Sequence, residues 1–342
     1  MTMRTFVAAL AALFLAGGPA GAQAGGPGGA CPDDVASRTP NCILTAQALV
    51  SAQPQLGILL AGGNPTIGTA STGGIRLGIL PRFTSSVKVS AALARIPDIL
   101  EEGGVDQARW IPLPAVNGTV SVGLFSGTSL GPTVGGFGAV DLLGSLTWVP
   151  LTTLGIEGFE ESPPFAYGLG ARIGVLRESF TAPGVSLTFM RRRLGRVGIG
   201  DVCPGSERET IADGGCPGTG DPGEISFDLT DWSGRLGASK RVLGWGLAGG
   251  LGYDHFTSDA DFAYRSSRAG NATRIERSGP IQLEEGRWSA YANASLTSLF
   301  ASLVLEAGWM QGGETISGYP ASSDFDPEAG TFFGSLGLRL AI

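Results

Sequence analysis

From residue 75 onward the chain alternates apolar and polar positions with a period of two, the signature of strands with two unlike faces. In Ile75-Arg76-Leu77-Gly78-Ile79-Leu80-Pro81-Arg82-Phe83 the odd positions are apolar and the even ones carry both arginines. Val87–Leu93 repeats the pattern. Further runs follow at about 115–125, 138–149, 165–176, 184–192, 224–239, 244–255, 286–297, 300–311 and 331–342. Such runs reach or approach the ~10 residues of a membrane-crossing strand, against ~5–6 in soluble sheets. One face carries Val120, Leu142, Leu169, Leu187, Leu247, Leu303 and Leu336, with no charge inside the core of any run. The other carries Arg76, Arg82, Lys88, Asp141, Arg172, Arg235, Asp254, Arg287, Glu306 and Arg339. These ten residues are expected to line a lumen.

Alternation alone also suits a soluble sandwich, so the aromatic positions matter. Trp148, Tyr167, Tyr253, Trp288, Trp309 and Phe332 lie on the apolar face near one end of their strands, as in an interfacial girdle. Connections alternate between short and long, which predicts periplasmic turns on one rim and external loops on the other. A final strand ending at Ile342 puts that end in the periplasm and the girdle at the outer rim. An odd count of runs calls for one more strand, and Gln55–Ala61 is the candidate. The expectation is an all-β, antiparallel, up-and-down transmembrane barrel of about 12 strands, or 14 if 256–285 holds another hairpin. A change of phase between Leu229 and Trp232 predicts a bulge there.

Residues 1–24 read as an export signal: Arg4, the apolar stretch Phe6–Ala16, then the small residues Ala20, Ala22 and Ala24. Residues 25–53 form an N-terminal periplasmic segment, either a plug or a loose tail, with a short helix over Ile43–Val50; the barrel is assigned to 54–342. Cys31, Cys42, Cys203 and Cys216 fall as two local pairs, which in an exported chain predicts the disulfides Cys31–Cys42 and Cys203–Cys216. The first is expected on the periplasmic side and the second in an external loop. A net charge of −7 argues against nucleic acid as a partner.

The signal, the strand pattern and the terminal run Thr331–Ile342 together resemble the Gram-negative outer-membrane β-barrel superfamily. That resemblance implies residence in the cell outer membrane, contact with its lipid and lipopolysaccharide, and insertion by the barrel assembly machinery. No motif points to a subfamily.

Several features bear on function. Gly244, Gly246, Ala248, Gly250 and Gly252 strip one strand's inner face of side chains, leaving room for a solute path, or for curvature and bulky neighbours. Seven basic and three acidic inward charges give a mildly positive lumen, which as an open pore would prefer anions, unless the acids simply pair with the arginines. Arg191, Arg192, Arg193 and Arg196 cluster at the outer end of a strand and suit lipopolysaccharide phosphates, or else form a solvated rim. Acids in 312–330 read as a solvated loop. His255 neighbours Asp254, but adjacent strand residues face opposite ways. No catalytic residue, cofactor or metal is expected. The leading reading is a passive or selective pore for small solutes; the alternative is a non-transporting structural or adhesive barrel that presents its loops.

Overall fold

A computed structural model describes Cys31 and residues 40–61, 63–73, 75–76, 80–101, 107–129, 135–150, 165–203, 220–267, 273–319 and 324–341. The expected signal, residues 1–24, lies outside them. Pro40–Ala61 is an α-helix, α1. Ten strands follow: β1 Phe83–Pro97, β2 Ala108–Phe125, β3 Val140–Trp148, β4 Phe165–Leu176, β5 Gly184–Ile199, β6 Gly223–Val242, β7 Trp245–Ser267, β8 Thr273–Ser298, β9 Ala301–Met310 and β10 Thr331–Ala341. Each pairs antiparallel with its sequence neighbour, and β10 pairs with β1 to close the barrel. Closure leaves no strand edge in lipid, which is the condition for a sheet to cross a membrane.

Exposure follows parity as the alternation requires. Val87, Val89, Leu142, Leu146, Leu169, Leu247, Leu251, Leu303, Leu305, Leu336 and Leu338 are exposed on the outer wall. Trp148, Tyr167, Trp288, Trp309 and Phe332 ring it toward one end, with Tyr253 against Trp288 at 5.2 Å between ring centroids. Phe83, Phe125, Trp245 and Phe300 ring the other end. Trp245 to Tyr253 spans roughly 26 Å along β7 at ~3.3 Å per residue, close to the ~25 Å apolar band of outer-membrane barrels. Tight turns at Leu243–Gly244 and Leu299–Phe300 mark one rim; the long connections lie at the opposite rim, termed the outer end by the convention of membrane barrels. The described strands form a closed barrel with an apolar outer band of membrane-spanning height.

Four sequence expectations are corrected. Gln55–Ala61 is the last part of α1, not a strand, because an apolar run this short carries no decisive period. Residues 75–83 form only a two-residue ladder, Ile75–Arg76 with Leu80–Pro81. The closed barrel therefore starts at Phe83, and it has ten strands rather than 12 or 14. Segment 256–285 is no separate hairpin or loop: β7 and β8 run on far above the girdle, paired through to Ser267 and Thr273. Nor does β6 bulge at Leu229–Trp232. Ile225, Phe227, Leu229, Asp231, Ser233 and Arg235 are all buried on one face, and the register with β7 has the same offset on either side of that stretch. What changes there is the lumen, from polar below to apolar above. The register shift falls in β5, between Leu194 and Val197.

Candidate functional site

The lumen is occupied by the chain itself. Helix α1, about 33 Å long at ~1.5 Å per residue, stands in the upper barrel with its N-terminus at the outer end. Asn41 there donates to the Arg265 carbonyl at 2.8 Å, and Gln53, further down, donates to Ser258 at 2.9 Å. A helix is ~10–12 Å across, so the wall facing it must be thin. Ala92, Ala94, Ala115, Ala166 and Ala260 supply that, interleaved with Ile96, Ile111, Leu113, Phe227 and Phe256. Leu44, Leu49, Leu56 and Leu59 of the helix are buried among them. A Cβ on Gly57 would overlap the Phe256 ring, so glycine is what lets that ring lie on the helix.

The N-terminal segment was expected on the periplasmic side. The Cys31–Cys42 disulfide lies at the end of the lumen that carries the long connections, because α1 runs inward from there, whereas a periplasmic segment would sit at the end with the tight turns. Cys203 is disulfide-bonded in the external connection after β5; Cys216 lies outside the described residues.

Below α1, residues 63–73 run down the lower lumen through a turn at Ile67–Gly68 and are held by wall charges. Gly63 sits at φ 65° and brings the backbone against Glu306, whose Oε2 accepts the Asn64 N–H at 3.0 Å. Arg235 donates to the Gly63 carbonyl at 3.2 Å, Arg172 to the Thr66 hydroxyl at 2.7 Å and Arg339 to the Ile67 carbonyl at 3.2 Å. The Gly73 N–H donates to both Asp141 oxygens, at 3.1 and 2.9 Å. The charges that grip the segment also pair across the wall: Lys88–Glu306 at 3.3 Å, Arg172–Asp141 at 2.6 Å and Arg235–Asp254 at 2.6 Å. Each would be costly to bury alone. Paired and bonded to backbone, they make a polar sleeve.

Of the ten residues expected to face inward, Lys88, Asp141, Arg172, Arg235, Asp254, Arg287, Glu306 and Arg339 are buried inside. Arg82 is exposed, a correction that follows from the barrel starting after it. The side chain of Arg76 lies outside the described residues. Arg192 also departs from expectation: it points inward and pairs with Asp231 at 2.8 Å, since it shares parity with buried Met190 and Leu194. Arg191, Arg193 and Arg196 are exposed; Arg191 stacks over Trp232 at 5.0 Å, and Arg196 pairs with Asp261. The stripe Gly246–Gly252 faces inward, and its space is taken by Tyr291 against Gly250 and by Arg235 against Gly252.

His255 and Asp254 face opposite sides of β7. The histidine meets Glu284 at 3.1 Å, while Asp254 is buried with Arg235. Among the described residues no cluster of histidine, cysteine and acidic side chains has the makings of a metal site.

Sequence reasoning missed three helix glutamines. Gln55 accepts the Arg95 N–H and donates to the Arg95 carbonyl at 2.6 Å, standing in for a missing neighbour strand at that edge of β1. Gln47 treats the loop after β9 the same way, accepting from the Ile316 N–H at 2.7 Å and donating to the Glu314 carbonyl at 3.3 Å. Gln53 reaches the wall at Ser258. Three glutamines in a helix without a single charged residue are the signal that could have shown it inside a barrel.

Among solved structures, the chain is similar to the translocator domain of the autotransporter NalP from Neisseria meningitidis, at 16% identity, 87% of this chain, 98% of that one and a TM-score of 0.38. It is also similar to the outer membrane protease OmpT from Escherichia coli, at 13% identity, 77% and 96% coverage and a TM-score of 0.34. A third is the toluene transporter TodX from Pseudomonas putida, at 9% identity, 82% and 96% coverage and a TM-score of 0.32. No protein-family model and no curated protein sequence matches the chain.

Proposed function

We propose that this protein is a self-plugged outer-membrane barrel whose work is done at the cell surface, and that it is not a standing pore. The observation that carries the reading is the filled lumen: α1 and residues 63–73 occupy it from the outer rim to Asp141 near the periplasmic end. A mildly positive lining would favour anions in an open channel. Here its charges are spent on pairing with one another and on holding backbone. The tall outer walls of β6, β7 and β8, together with the start of α1, are then the presented surface. Arg191, Arg193 and Arg196, at and above the girdle, suit lipopolysaccharide phosphates as bidentate partners. The terminal strand β10 suits recognition by the barrel assembly machinery.

Planar-bilayer recording tests this reading. The intact protein is expected to give a silent bilayer, and a variant lacking residues 40–73 to give conductance steps with anion preference. Steady conductance from the intact protein would instead support a small-solute pore and overturn the proposal.

A further inference from the structure

The barrel wall is notched at its outer end. β9 and β10 are 10 and 11 residues long, whereas β8 beside them has 26 and β1 has 15. Above Ser289, β8 has no partner in β9, and above Ala92, β1 has none in β10. The connection after β9 stands over this gap and leaves a cavity of about 240 Å³ in it. Its lining joins two surfaces that a complete wall would separate. Leu93, Trp110 and Phe332, exposed on the lipid side at 59%, 59% and 74%, form the outer part. Ser51 and Gln55 of α1 form the inner part.

Two guanidinium groups reach the cavity between these parts. Arg95 lies over the Trp110 ring at 5.1 Å and donates to the Asp324 carbonyl, and its Nε is buried without a partner. Arg287 is 4% exposed; it donates to the Gln311 carbonyl at 3.2 Å and pairs with Glu285 at 2.8 Å, and its Nε too is buried without a partner. Both guanidinium groups line the cavity, the cations of a lining that also includes Glu314 and Asp326 of the connection after β9. The volume falls below the ~300–1,000 Å³ of pockets that enclose a whole drug-sized ligand. It suits a headgroup whose tail stays outside, along apolar side chains at the membrane interface.

We infer that this notch binds the phosphate headgroup of an amphiphile drawn from the membrane, with the phosphate on Arg95 and Arg287 and the acyl chain along Leu93, Trp110 and Phe332. Guanidinium forks match phosphate oxygens in geometry and charge. The site does not depend on whether the barrel conducts.

The test is a binding titration of the intact protein in detergent micelles, with a lysophosphatidylglycerol carrying bromine on its acyl chain as probe and tryptophan quenching as readout. The probe is expected to quench the Trp110 contribution, identified as the part lost in Trp110→Phe. Arg95→Gln is expected to weaken binding at least tenfold while the barrel stays folded by heat-modifiable migration. Arg287→Gln should do the same, but it strands Glu285, so Arg95→Gln decides if that variant misfolds. Inorganic phosphate should compete more than a hundredfold less effectively than the lysolipid. Equal affinity in wild type and Arg95→Gln would overturn the inference. So would phosphate competing as well as the lysolipid, which would make the notch a free-anion site.

Discussion

Replacing Glu306 with alanine is expected to destabilise the barrel by about 3–5 kcal/mol, the usual cost of removing one member of a buried ion pair. Glu306 is 2% exposed and serves four donors: the Lys88 ammonium, the Asn64 N–H, the Asn293 amide at 3.4 Å and the Ser335 hydroxyl at 3.3 Å. Alanine removes the carboxylate that faces Lys88 and frees the backbone at Gly63. The double change Lys88→Met with Glu306→Leu removes both charges and should recover most of the loss, since an apolar pair of similar volume is often no worse than a buried salt bridge. Urea titration of folding into lipid vesicles measures both. A loss below about 1 kcal/mol in the single variant would mean that the sleeve does not hold the segment.

The second large effect is expected at Gly57. Its Cβ position is filled by the Phe256 ring, which is fully buried, and the helix is enclosed on all sides, so neither partner can retreat cheaply. Leucine there should cost about 3 kcal/mol, the upper part of the usual range for overpacking. That cost falls on the helix's seat rather than on the strands, whose ladder is untouched. Gly57→Leu should therefore keep heat-modifiable migration while residues 40–61 become open to protease. Adding Phe256→Ala should restore protection. A protected helix in the single variant would contradict the packing described.

The outer wall was legible in sequence because lipid tolerates no charge, which leaves alternation as a clean record of which residues face out. The inner face was harder, because its chemistry changes with height. Below, it is polar and Asp231, Ser233 and Arg235 obey the expected pattern; above, it packs a helix and turns apolar at Ile225, Phe227 and Leu229. Read without that helix, the switch looks like a bulge, and the apolar run at 55–61 looks like the strand that parity lacked. Arg192 was grouped with its neighbours by composition, whereas the parity of Met190 and Leu194 would have sent it inward. The length of β7 and β8 was hidden for a related reason: above the membrane their outer face meets water, so the apolar marker disappears while pairing continues. The ion pairs and the glutamine contacts of α1 lie between residues up to 269 apart in sequence, and no local pattern encodes them.

On the proposed reading, α1 fills the lumen with its first turn at the cell surface. An epitope inserted directly before Cys31, whose disulfide to Cys42 ties it to that first turn, tests this by antibody labelling of intact cells. Labelling without permeabilisation, at the level seen for an epitope in the connection after β9, is the predicted result. Labelling that requires permeabilisation would place the helix start in the periplasm and overturn the proposed orientation.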